Sequence, residues 1–158
     1  MDELTLKYEN VCNAFDSFTK AVKYYQKYLS RGYLDEDTFD EREVYDYQIE
    51  SARTALIKIF ELFIELLFKH LKWVLENRLN LELDLVNPRA IIIESAKSRL
   101  ITESQSLHLI ELTRTRNQTS HIYKEDLANE VAKALCASLP SLRELLVCID
   151  PERFKELG

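Results

Sequence analysis

The sequence predicts an all-α protein, an up-and-down antiparallel bundle of four to five main helices. Three observations carry that expectation. Apolar residues recur at helical spacing along most of the chain. Only two Gly and three Pro occur among 158 residues, so tight turns and glycine-rich phosphate loops are scarce. Helix-start signatures punctuate the chain at Asn87-Pro88 and Thr102-x-x-Gln105.

The first helix reads from Leu4, Tyr8, Val11, Phe15, Phe18, Val22, Tyr25 and Leu29, which alternate spacings of four and three and form a seam for helix packing. Arg31-Gly32 ends it. Residues 33–41 are acidic and broken, and read as a solvated loop. A long second helix follows from about Glu43 to Asn77. Its polar stripe is Lys58, Glu61, Glu65, Lys69, Lys72 and Glu76, and the rest of its circumference is apolar. So wide an apolar face calls for more than one neighbour, which places this helix at the centre of the bundle with part of it free for a subunit interface. Asn87 as N-cap and Pro88 at the first helical position open a third helix that runs through Leu100. The capping box Thr102-x-x-Gln105 opens a fourth, which leads into a polar run. A fifth starts near Glu125 and carries Leu127, Val131 and Leu135. Pro140 breaks it, and residues 142–149 read as a further helical turn or two. No repeat, low-complexity tract or linker divides the chain, so residues 1–158 are expected to form one domain.

Composition narrows the function classes. An apolar fraction of 46% with 30% charged residues is ordinary globular composition. The formal charge of −6 is unfavourable for broad nucleic-acid binding and leaves room for a local basic site or a basic protein partner. The three Cys (Cys12, Cys136, Cys148) lack CxxC spacing and read as reduced thiols of a cytoplasmic protein. The acidic start, Met1-Asp2-Glu3, does not read as a signal peptide. The most apolar stretch, Ala55 to Leu75, is interrupted by six ionisable side chains, so no membrane span is expected. With no Walker-type or dinucleotide-binding glycine pattern and no His/Cys cluster at ligand spacing, neither a cofactor nor a structural metal is expected.

The polar run Arg116-Asn117-Gln118-Thr119-Ser120-His121-Ile122-Tyr123 is the densest chemistry in the sequence. It holds a cation, an amide, an imidazole and a phenol, in a chain with three His. At about 100° per residue, Arg116, Asn117, Ser120, His121 and Tyr123 project from one side of a helix, about 160° wide. Arg binds an anion through its fork, His moves a proton near neutral pH, and Asn orients. The bland alternative is a helix end whose cations meet terminal carbonyls. For Tyr123 it is a packing tyrosine.

This Arg-x4-His-x-Tyr run, with Asn after the Arg, resembles the signature of the HEPN domains, most closely the HepT-type toxins, also called nucleotidyltransferase substrate-binding proteins. The likeness extends to Phe60–Lys69, similar to an aromatic and Glu-rich second helix, and to Asn87-Pro88-Arg89 with Ala90 to Ile101, similar to a third helix opened by Pro-Arg. It covers roughly residues 50–150. The extra Arg114 departs from the pattern. The resemblance implies a HEPN-like bundle and a metal-independent endoribonuclease. Arg116, Asn117 and His121 would be its catalytic residues, and Ser120 a substrate contact. Arg114, outside the pattern, reads as an aid to RNA phosphate binding or as surface decoration. It also implies a homodimer that pairs two motifs across a cleft, RNA as substrate, and a minimal nucleotidyltransferase as antitoxin, which modifies Tyr123 with AMP. The alternative is a noncatalytic substrate-binding subunit of a two-component nucleotidyltransferase.

The remaining polar and aromatic residues carry plainer expectations. Tyr24, Tyr25, Tyr28, Tyr33, Tyr45 and Tyr47 read as core and helix-interface filling rather than a base-stacking platform. His70 and His108 read as hydrogen-bonded core or boundary residues. The Lys58/Glu61/Glu65/Lys69 stripe reads as a salt-bridged solvated face, with Glu65 as a buried acid near the cleft the alternative.

Overall fold

A computed structural model describes residues 2–33, 36–82, 87–119 and 125–153. They form six helices in an up-and-down arrangement: α1 (Glu3–Arg31), α2 (Phe39–Asn77), α3 (Pro88–Lys97), α4 (Glu103–Thr119), α5 (Glu125–Ala137) and α6 (Leu139–Cys148). No strand occurs among the described residues.

Local chemistry sets most of the boundaries. Asp2 caps α1 by accepting the Thr5 N–H at 2.8 Å, and α1 stops at Gly32, whose φ of +62° suits glycine. α2 begins at Phe39, inside the stretch expected to be loop. The cause is a capping box: the Glu41 N–H donates to Thr38 Oγ1 at 3.3 Å and the Thr38 N–H to Glu41 Oε2 at 2.9 Å. α3 opens at Asn87-Pro88 as expected but ends at Lys97, before Leu100. Arg99 takes φ +62°, and the Leu100 and Ile101 N–H groups fold back onto the Ser95 carbonyl, which turns both apolar side chains into the core. The Thr102/Gln105 box opens α4 with reciprocal bonds of 2.9 and 3.1 Å. Pro140 sits in the first turn of α6, where a missing N–H costs nothing.

α1 and α2 pack antiparallel along most of their length. At one end Tyr8 meets His70, in the middle Phe15 and Phe18 meet Phe63 and Phe60, and at the other end Tyr45 donates to the Tyr28 carbonyl at 2.7 Å. α2, about 58 Å long at 1.5 Å per residue, also contacts α3 and α5. Its Leu56, Phe60, Phe63, Ile64, Leu67, Leu71 and Leu75 are fully buried, so most of its apolar face is used inside one copy of the chain. Leu62 is exposed, and Ile59 and Leu66 are half-buried, so a strip of that face stays open. α4 lies against α3, α5 and α6, and α6 closes the far side, where Tyr8 donates to the Leu146 carbonyl at 2.8 Å.

Some expected interiors differ. Tyr25 and Tyr45 are core, but Tyr24, Tyr33 and Tyr47 are exposed, as is Leu29 at the end of the α1 seam. His70 is buried, yet neither ring nitrogen has a hydrogen-bond partner, contrary to the hydrogen-bonded histidine expected at that position. Burial, and then the Lys7 charge, push its pKa down to about 4.

Candidate functional site

The last two turns of α4 present Thr113, Arg116 and Asn117 on one face, as residues three and four apart must be. That face looks across at α2 and the start of α3. Between the three helices lies a cavity of about 370 Å³, lined by Ile64, Glu65, Phe68, Lys69 and Lys72 of α2, Pro88 and Ile91 of α3, and Thr113, Arg116 and Asn117 of α4. Its floor is apolar, since Ile64, Phe68 and Ile91 are all buried. Its rim is cationic. Lys69 Nζ stands 3.1 Å from Glu65 Oε1, and Lys72 Nζ stands 3.7 Å from Glu76 Oε1. Arg116 is half-buried and makes no ion pair with a described carboxylate.

The end of α4 is tied to α2. The Thr119 hydroxyl lies 2.6 Å from Glu61 Oε1 and 2.6 Å from the Arg116 carbonyl oxygen, so its one proton serves both acceptors. This contact fixes the backbone from which Arg116 projects. Beyond it is a larger cavity of about 710 Å³ between α2 and the start of α5. Glu61 and Thr119 line it together with Tyr33, Asp46, Glu50, Arg53, Lys58 and Glu125. Arg53 is buried and its Nη1 donates to Asn129 Oδ1 at 2.8 Å, while the Tyr33 hydroxyl donates to Asp46 Oδ1. Thr119 at the end of α4 and Glu125 at the start of α5 both line this cavity.

The expected site residues therefore divide. Arg116 and Asn117 come together at the smaller cavity. Arg114 does not line it; its Nη1 is held by Glu111 Oε1 at 2.6 Å on the exposed side of α4. Ser120, His121 and Tyr123 lie outside the described residues. Glu65 is exposed and paired to Lys69, so the alternative of a buried acid does not hold. The partly buried acid near the site is Glu61, one turn earlier. Sequence reasoning passed over Lys69 and Lys72 because their i,i+4 acids make them look like ordinary solvated pairs. It passed over Thr119 because a lone Thr carries no signal. Among the described residues, no group of three or more His, Cys, Asp and Glu side chains is placed to hold a metal ion.

The six helices, with an arginine and two lysines around an apolar-floored cleft, define a small all-α protein with a cationic pocket. The particular family is shown by the sequence as a whole: residues 6–148 match the family described as nucleotidyltransferase substrate binding protein like, and the chain belongs to it. Membership agrees with the resemblance drawn from the Arg116–Tyr123 run. None of the curated proteins matches the chain. No described helix is long and apolar enough to cross a membrane.

Proposed function

We propose that this protein is the partner of a nucleotidyltransferase and acts as a metal-independent endoribonuclease that the nucleotidyltransferase restrains. The observation that supports this reading is the position of Arg116: half-buried, without a carboxylate partner among the described residues, and standing with Asn117 over a cavity rimmed by two more cations. Cleavage of RNA without a metal requires deprotonation of the 2′-OH, stabilisation of the phosphorane and protonation of the 5′ oxygen. Arg116 takes the phosphate charge through its two-pronged fork, Asn117 orients a phosphate oxygen or the imidazole, and His121 transfers protons. One copy supplies one such histidine. A homodimer that faces two motifs across a cleft supplies the acid and the base together, and concentrates positive charge in a chain of net charge −6. AMP placed on Tyr123 by the partner adds bulk and negative charge, which competes with RNA phosphate for the cations.

The family description favours a second reading, a noncatalytic subunit that holds substrate for the nucleotidyltransferase. The two differ in their need for His121. Expression of the chain alone in a bacterium should arrest growth, and His121→Ala should relieve the arrest while the protein stays folded and dimeric. Harmless expression of the unaltered chain at the same level points to the noncatalytic subunit. Co-expression with the nucleotidyltransferase should add the mass of AMP to the peptide that contains Tyr123. A peptide that stays unmodified removes that mode of restraint.

A further inference from the structure

The geometry points to the cavity between α2, α3 and α4 as a pocket for one nucleoside phosphate unit, with Lys69 and Lys72 on the phosphate beside Arg116 and the base seated on Ile64, Phe68, Pro88 and Ile91. Arg116 keeps here the phosphate-binding role proposed above, so the assignment rests on that reading. It adds two lysines, an apolar seat and a ligand class.

Four features converge on this occupant. The first is charge: three cations and one carboxylate line a cavity in a chain that carries −6 overall, so the local sign is opposite to the global one. The second is availability. Lys69 and Glu65 are both largely exposed, and such a surface pair contributes little; Lys72 and Glu76, both half-buried, stand 3.7 Å apart, and a phosphate can take the ammonium groups from both pairs. The third is the floor. A site for a bare anion needs no apolar wall, whereas this one has an aromatic ring and three aliphatic side chains, and 370 Å³ falls in the range that small ligands occupy. The fourth is the N-terminal end of α3, ten residues long, whose Pro88 lines the cavity; the partial positive charge of a helix N-terminus adds to the three side-chain cations. Thr113, whose hydroxyl donates to the Leu109 carbonyl at 2.9 Å and keeps its lone pairs as acceptors, and Asn117 complete the rim.

The test measures binding of AMP, inorganic phosphate and a short single-stranded oligoribonucleotide, blocked against cleavage by 2′-O-methyl groups, to the purified full chain. The variants are Lys69→Gln, Lys72→Gln, their combination, Phe68→Leu and Arg116→Gln. AMP should bind tighter than inorganic phosphate. Each lysine change should weaken AMP about tenfold and flatten the salt dependence by about one ion. Phe68→Leu should narrow the gap between AMP and phosphate, and thermal melts of each variant register folding separately. Competition between AMP and the oligoribonucleotide identifies the unit as part of an RNA chain; AMP binding that the oligoribonucleotide does not displace identifies a free nucleotide. AMP bound no better than phosphate, or unchanged in the double lysine variant, overturns the pocket. If Arg116→Gln alone weakens the oligoribonucleotide while the lysine variants do not, the phosphate-handling reading stands without the pocket. If Arg116→Gln is also without effect, both fall.

Discussion

Two cavities flank the Glu61–Thr119 contact, and they differ in sign. The smaller one, between α2, α3 and α4, sets Lys69, Lys72 and Arg116 against Glu65 over an apolar floor. The larger one, between α2 and α5, sets Asp46, Glu50, Glu61 and Glu125 against Arg53 and Lys58. One helix, α2, lines both. Charge that averages to a mildly acidic chain is therefore sorted along a single helix, and a net charge of −6 gives no guide to what either cavity binds. Thr119 and Glu125 line the acidic cavity, while Arg116 lines the basic one. The Thr119 hydroxyl holds the two regions in register.

The largest expected effect breaks the comparison at its basic side. Arg116→Ala should lower RNA cleavage by about a hundred- to a thousandfold, whereas Glu50→Gln in the acidic cavity should leave the rate within about twofold; both are read from initial rates on a labelled RNA. Next is the wall of the acidic cavity. Arg53→Met strands the Asn129 acceptor and should lower stability by about 1–3 kcal/mol in urea unfolding, with AMP binding unchanged.

A third change acts on neither cavity. His70 is buried between α1 and α2 with both nitrogens unpaired, and burial first, then Lys7, hold its pKa near 4 against 6.5 in the unfolded chain. Its neutral form belongs to the fold. Above pH 6.5 it imposes no proton-linked cost; as pH falls from 6.5 towards 4 the unfolded state gains a proton that the folded state refuses. Stability should then fall by up to about 1.4 kcal/mol per pH unit. His70→Leu should remove that part of the slope in unfolding curves at pH 7 and pH 5. The smallest effect is on the link between the cavities. Thr119→Val removes the hydrogen bond to Glu61 and should cost about 1 kcal/mol, with cleavage reduced several-fold as Arg116 loses its fixed base.

Much of this fold is written in local sequence. The α1 seam, the Asn87-Pro88 start, the Thr102/Gln105 box and the Pro140 break all fall where short-range chemistry puts them. The early start of α2 was legible too, in Thr38-x-x-Glu41, but the acidic run around it reads as loop. What could not be read is tertiary. Lys69 and Lys72 look like solvated stripe residues until α3 and α4 pack beside them and form a cavity. Ser95 turns the chain after α3 through its carbonyl rather than through any side-chain signal. The exposed Tyr24, Tyr33 and Tyr47 share the composition of buried Tyr25 and Tyr45, and only packing separates them. Of the site, Arg116 and Asn117 were found by motif, and the residues that surround them were not.

The most direct measurement is cleavage of a 5′-labelled single-stranded RNA by the purified chain in the presence of a metal chelator. The expected result is discrete products that end in 2′,3′-cyclic phosphate, lost in both Arg116→Ala and His121→Ala. Intact RNA with the folded, unmodified chain, or cleavage that survives both substitutions, contradicts the account.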